Sequence, residues 1–189
     1  MRVFVAMKLP PEFLTSLEKT LLPLREKYPL FRWTGEENLH ITLVFLGEIE
    51  RPGISLLEEA AERVVRGIGP IPIRGGKLLT LPRGKAANVL ALGIGEGKEA
   101  LSALASALEG ALAEAGDRGG YPFRPPDKRP FNAHITLARR GSSPLRLAPE
   151  EENLAFPAQG TLRELGVFKS ELFREGPRYT PLRVYTLES

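Results

Sequence analysis

His40-Ile41-Thr42-Leu43 recurs letter for letter as His134-Ile135-Thr136-Leu137, nearly half the chain further on. The two copies hold both histidines of the 189-residue sequence. With 8 Ile, 9 Thr and 30 Leu available, a given histidine is followed by Ile-Thr-Leu by chance with a frequency of roughly 3 × 10⁻⁴. Two such coincidences point to a duplication. Each copy is apolar and β-branched enough to be a strand, and side chains on a strand alternate faces. His40 and Thr42 then share one face, while Ile41, Leu43 and Phe45 anchor the other in a core. His134 and Thr136 stand in the same relation to Ile135 and Leu137.

The surrounding pattern predicts an α+β chain. Arg2–Leu9 reads as a strand, and Pro10-Pro11 opens a helix striped by Phe13, Leu14, Leu17, Leu21 and Leu24. Phe31–Thr34 is a short strand and Leu39–Leu46 a longer one that Gly47 closes. A helix follows from Pro52-Gly53 to about Ile68. Ile73–Leu81 and Ala87–Ile94 form a hairpin across Pro82-Arg-Gly-Lys85. Lys98–Ala115 is helical, 116–130 a Gly- and Pro-rich loop, and Phe131–Arg139 a strand. After an irregular stretch, Gly160–Phe173 and Tyr179–Leu187 close the chain as a hairpin. The expected organisation is one domain over 1–189, made of two pseudo-symmetric lobes with one His-x-Thr-x motif each.

Composition narrows the chemistry. With no Cys, the chain has no disulfide, thiolate zinc site or sulfur nucleophile. Two histidines with hydroxyls are a poor donor set for a metal, and their spacing matches no zinc signature. No metal and no cofactor are therefore expected. A net charge of +3 permits a phosphate-bearing partner without demanding one. No apolar run is long enough to span a membrane, and a cytoplasmic monomer is the expectation. Arg outnumbers Lys by 18 to 8 and Glu outnumbers Asp by 21 to 2. That skew fits a heat-adapted source, although a GC-rich genome would also favour Arg.

Two lobes that face each other would bring two imidazoles and two hydroxyls to one cleft. One imidazole can take a proton while the other gives one, and hydroxyls donate to an anion held between them. Such a set suits in-line displacement at phosphorus.

These residues resemble the 2H phosphoesterases, and within them the RNA 2′,3′-cyclic phosphodiesterases, also called 2′-5′ RNA ligases. Met1–Pro10 resembles that family's opening strand. Trp33 with Glu37–Gly47 resembles its first motif, Phe131–Arg139 its second, and Val167–Leu172 with Tyr179 its C-terminal hairpin. Ala133 departs from the proline common before the second histidine. The resemblance implies a bilobal fold whose two antiparallel sheets face a central cleft, with helices outside. It implies metal-independent opening of RNA 2′,3′-cyclic phosphate ends, such as those of tRNA halves, to 2′-phosphomonoesters, and in some members reversible 2′-5′ joining. By the same resemblance His40 is the proton donor and His134 the base, while Thr42 and Thr136 bind the phosphate; the identical copies alone do not separate donor from acceptor. Two other functions fit the residues: an RNA-end binding module without turnover, and a phosphodiesterase acting on a small cyclic nucleotide.

Strict alternation puts Arg140 on the histidine face. The family pattern favours Arg139, which needs a bulge, so both are candidate phosphate-binding residues. Arg124, Lys128 and Arg129 could form an RNA-backbone funnel. Trp33 and Phe131 could stack on a base, but burial is the simpler expectation for both. Gly93-Ile-Gly-Glu-Gly-Lys98 fails as a phosphate loop and reads as a strand-to-helix turn. Glu150-Glu-Glu152 reads as a solvated turn.

Overall fold

A computed structural model describes residues 1–82, 87–125, 129–152, 154 and 156–188. The turn at Arg83–Lys85 and the candidate Lys128 lie outside the described residues. Among the described residues there are nine strands and three α-helices: β1 (Arg2–Lys8), α1 (Pro11–Lys27), β2 (Arg32–Trp33), β3 (His40–Glu48), α2 (Arg51–Val65), β4 (Ile71–Leu81), β5 (Val89–Ile94), α3 (Lys98–Gly119), β6 (His134–Arg139), β7 (Gln159–Leu162), β8 (Glu164–Phe173) and β9 (Gly176–Thr186). Among the described residues no helix is long and apolar enough to cross a membrane.

The strands follow one path, β7-β4-β5-β6-β3-β1-β8-β9, with β2 alongside β6. Every pairing is antiparallel. The two sheets that the resemblance implies are thus joined, and a single pair, Ile41 opposite Ile135, joins them. The run expected as one strand, Gly160–Phe173, is divided at Arg163. Its first part pairs with β4 and its second with β1, near opposite ends of the path. Leu162 and Glu164 are two residues apart, a reach of at most about 7 Å. The sheet must therefore curl until its ends approach, which makes one face concave. Register shifts in β1–β3, β4–β5, β5–β6 and β8–β9 supply the bends.

The buried faces follow the sequence periods. Phe13, Leu17, Leu21 and Leu24 of α1 are buried one or more turns apart, and Leu57, Ala60, Ala61 and Val65 of α2 likewise. α3 packs on α2 and on β3, and Tyr185 of β9 donates its hydroxyl to the Glu58 carbonyl of α2 at 2.9 Å.

Four expectations need correction. β3 does not stop at Gly47; that residue takes φ +72° inside a bulge opposite Val3 and the strand runs on to Glu48. α3 passes through Gly116 and ends at Gly120, whose left-handed φ of +64° caps it. A side chain at Gly116 would lie 2.7 Å from the Tyr121 carbonyl oxygen, so this glycine admits the returning chain rather than ending the helix. Phe131–Ala133 precede β6 instead of belonging to it. Glu151 is buried, not solvated, because Lys27, the Tyr28 hydroxyl and the Ala148 amide satisfy its carboxylate.

Candidate active site

The pair that joins the two halves of the sheet also assembles the site. Residues directly opposite each other across antiparallel strands share a face. Ile41 and Ile135 meet on the core side, both fully buried. His40, Thr42, His134 and Thr136 must then all project from the other face. The same register puts His40 opposite Thr136 and Thr42 opposite His134. The histidines occupy diagonal corners of this quadrangle, a separation of about 7–8 Å between side-chain origins in a regular ladder. That leaves room for one phosphate between the rings.

Both rings are oriented in the same way. His40 donates from Nδ1 to the Asn38 carbonyl at 2.7 Å, and His134 from Nδ1 to the Asn132 carbonyl at 2.7 Å. A carbonyl only accepts, so Nδ1 carries a proton and Nε2 is the nitrogen that each ring leaves for other partners. In the free protein the Thr42 hydroxyl donates to Nε2 of His40 at 2.9 Å. The repeat is therefore longer than the four letters that reveal it: Asn-x-His-Ile-Thr-Leu occurs at 38–43 and 132–137. The shared Asn was readable, but the contact runs through the main chain, which residue identity does not advertise. The Asn38 side chain adds a tether, donating to the Pro177 carbonyl at 3.1 Å where β9 begins.

The surroundings of His40 are aromatic. Phe4 lies 5.0 Å away and Tyr179 meets the ring edge-on at 5.2 Å, while Phe168 stacks on Phe4 at 5.4 Å. Burial holds the His40 imidazole below its ordinary value; the Asn38 carbonyl opposes this, and the charges of His134 and Arg139 add to it. His40 is expected to titrate below an ordinary imidazole in the free protein, and to move up in His134→Asn, which removes a neighbouring positive charge. Imidazole NMR titration measures both. Burial likewise pushes the Tyr179 phenol up, so it stays protonated at neutrality.

Arg139 reaches the site through a bulge. Leu90 pairs with Ala138 but Ala91 with Thr136, which leaves Leu137 as the extra residue of β6. Leu137 and Ala138 are consecutively buried, and alternation resumes one step late. Arg139 thereby falls on the histidine side, where its charge acts on both His40 and Tyr179. Arg140 is exposed beyond the strand; its N–H donates to the Asn88 carbonyl and its carbonyl accepts from Arg32.

Two cavities flank the quadrangle. One of about 470 Å³ lies on the His40 side, lined by Phe4, Phe168, Tyr179, Lys8, Glu36 and Glu37 among others. A groove of about 1410 Å³ on the other side reaches Thr42 and His134 and is lined by Arg124, Arg129 and Phe131. Phe45, expected in the core, is 43% exposed and lines this groove. A bulge at Leu43 shifts the alternation before it. Trp33 is held away from the site: its indole N–H donates to the Tyr28 carbonyl at 3.0 Å and its ring packs on Phe31. Among the described residues no group of three or more His, Asp or Glu is placed to hold a metal ion.

Residues 13–172 match the sequence pattern of the 2′-5′ RNA ligase superfamily. The chain belongs to that superfamily. It is 31% identical to the RNA 2′,3′-cyclic phosphodiesterase of Thermus thermophilus, over 99% of this chain and 90% of that one. The crystal structure of TT0787 of Thermus thermophilus superposes with a TM-score of 0.85 at 28% identity, covering 99% and 98% of the two chains. Escherichia coli LigT complexed with 3′-AMP gives a TM-score of 0.73 at 26% identity, covering 100% and 98%. These likenesses span the whole superfamily fold, including both motif strands.

Proposed function

We propose that this protein opens RNA 2′,3′-cyclic phosphate ends to 2′-phosphomonoesters by acid–base catalysis between His40 and His134. The observation that carries the reading is the Ile41–Ile135 pair, which sets two His-x-Thr motifs on one face with both Nε2 atoms free of the main chain. The full-length likeness to a protein named RNA 2′,3′-cyclic phosphodiesterase supports the same substrate class.

In the assignment that the resemblance implies, Nε2 of His134 takes a proton from water as its oxygen bonds to phosphorus. The bond from phosphorus to O3′ breaks on the opposite side, and Nε2 of His40 protonates the departing oxygen. The ester gains one water, and the product carries a 2′-phosphate and a free 3′-hydroxyl. Thr42 turns its hydroxyl from His40 to a non-bridging oxygen, and Thr136 donates from the second strand. Arg139 supplies the fixed positive charge that the growing negative charge requires, and Arg140 adds potential from the strand end. The aromatic cavity beside His40 holds the terminal base. The two halves of the sheet, β7-β4-β5-β6 and β3-β1-β8-β9, carry one motif each and act as paired lobes of a single domain.

No step requires a metal. Hydrolysis of a nucleoside 2′,3′-cyclic phosphate is expected to proceed unchanged in EDTA and to yield the 2′-phosphate. Loss of activity on chelation, restored by a divalent ion, would overturn the metal-independent reading. Binding of an RNA end with no single-turnover product would instead identify a binding module.

Substrate charge also has a predictable effect. The phosphate anion favours the protonated form of His40, opposite in sign to burial. The limb of the pH profile that belongs to His40 is expected at higher pH in kcat than in kcat/KM, since the first reports the complex and the second the free enzyme.

A further inference from the structure

The groove on the His134 side exists because β3 and β6 part after one pair. The register that sets Ile41 opposite Ile135 would set Phe45 opposite Phe131, but β6 begins only at His134 and the segments diverge. Phe45 stands at the resulting mouth. The guanidinium of Arg2 lies over its ring, 5.6 Å from the centroid, and the exposed remainder lines the groove. A lone exposed phenyl needs no explanation. This one follows Thr42 on the same strand at a distance of about 10 Å, and it shares its groove with Thr42 and His134.

We infer that Phe45 is the stacking platform for the nucleotide next to the cyclic phosphate end of a single-stranded RNA. The inference rests on the phosphodiesterase reading and extends it from a mononucleotide to an oligonucleotide substrate. The cavity beside His40 takes the terminal base, and the larger groove takes its neighbour. Base–aromatic stacking is tolerant of sequence, and a cation over the far side of the ring strengthens the platform. Two arginines, Arg124 and Arg129, line the same groove, together with Glu109 and Asp117 of α3. A groove that holds arginines accommodates the phosphate of the second nucleotide, leaving its base for Phe45.

The test compares kcat/KM on a dinucleotide ending in a 2′,3′-cyclic phosphate with that on the mononucleoside 2′,3′-cyclic phosphate. Wild type is expected to prefer the dinucleotide. Phe45→Ala should lose about 5- to 150-fold on the dinucleotide, the range given by one base stack, with mononucleotide turnover unchanged. Phe45→Trp should keep the preference, and Phe45→Leu, which retains apolar bulk and so protects folding, should lose it. Equal use of both substrates by wild type, or equal losses on both in Phe45→Leu, would overturn the inference while leaving the phosphodiesterase reading standing. A wild-type protein inert on both would remove that reading itself, and the inference with it.

Discussion

Replacing His134 by alanine is expected to lower turnover of a 2′,3′-cyclic phosphate by at least ~10²-fold, the usual contribution of a positioned general acid or base. The loss should appear in kcat, because the ring contributes to proton transfer more than to ground-state binding. His40→Ala should cost a similar factor. The double variant should lose little beyond either single one, since the two rings act on one displacement and removing either stops the concerted transfer. Steady-state kinetics on all three, with thermal melts as a folding control, measures this. His134 is the cleaner test for folding, because His40 packs on Phe4 and Tyr179 and leaves a gap when truncated. A His134→Ala variant with near-normal turnover would end the two-imidazole mechanism. Fully multiplicative losses would show instead that the rings serve separate steps.

The twin motif announces itself because it concentrates both histidines of the chain in one repeated word, and strand alternation then says which atoms share a face. What alternation misses is any place where it is interrupted. The bulge at Leu43 carries Phe45 out of the core, and the bulge at Leu137 carries Arg139 into the site. A bulge adds one residue to one strand only, so it depends on the partner strand and leaves no period of its own in the sequence. The aromatic surround of His40 was hidden for a related reason. Phe4, Phe168 and Tyr179 come from β1, β8 and β9, which are distant in sequence and become neighbours only through the strand order. The division at Arg163 was also illegible. Both flanking segments look like one strand locally, and only the curl of the sheet requires the chain to change partners there.

The site is thus divided between what one strand can specify and what two must agree on. Each motif strand fixes its own ring by a carbonyl two residues upstream, so which nitrogen stays clear of the main chain is set locally. The separation of the rings is set by the pair of isoleucines, which belongs to neither motif alone. That arrangement places both imidazoles on core-anchored strands rather than loops, where packing holds them to the tolerance that the proposed proton transfer demands.

Arg139 is where this division can be tested most sharply, because its position depends on the bulge and its charge has two readouts. Arg139→Met should lower kcat by about 10²-fold, the cost of losing one preorganised group aimed at developing charge. The same change should raise the titration midpoint of His40, because a positive neighbour that disfavours the imidazolium has gone. Arg139→Lys restores the charge but not the planar fork. It should return His40 towards its lowered value while recovering only part of the turnover. Kinetics and imidazole NMR on the two variants separate the alternatives. If Arg139→Met alters neither quantity, the side chain serves the β2–β6 junction, where Arg32 is its strand partner, and the positive charge at the phosphate must come from Arg140. If the His40 midpoint rises but turnover holds, Arg139 tunes the imidazole without touching the phosphate. The expected result is that both move together, which only a guanidinium inside the cleft, within reach of ring and phosphate alike, would produce.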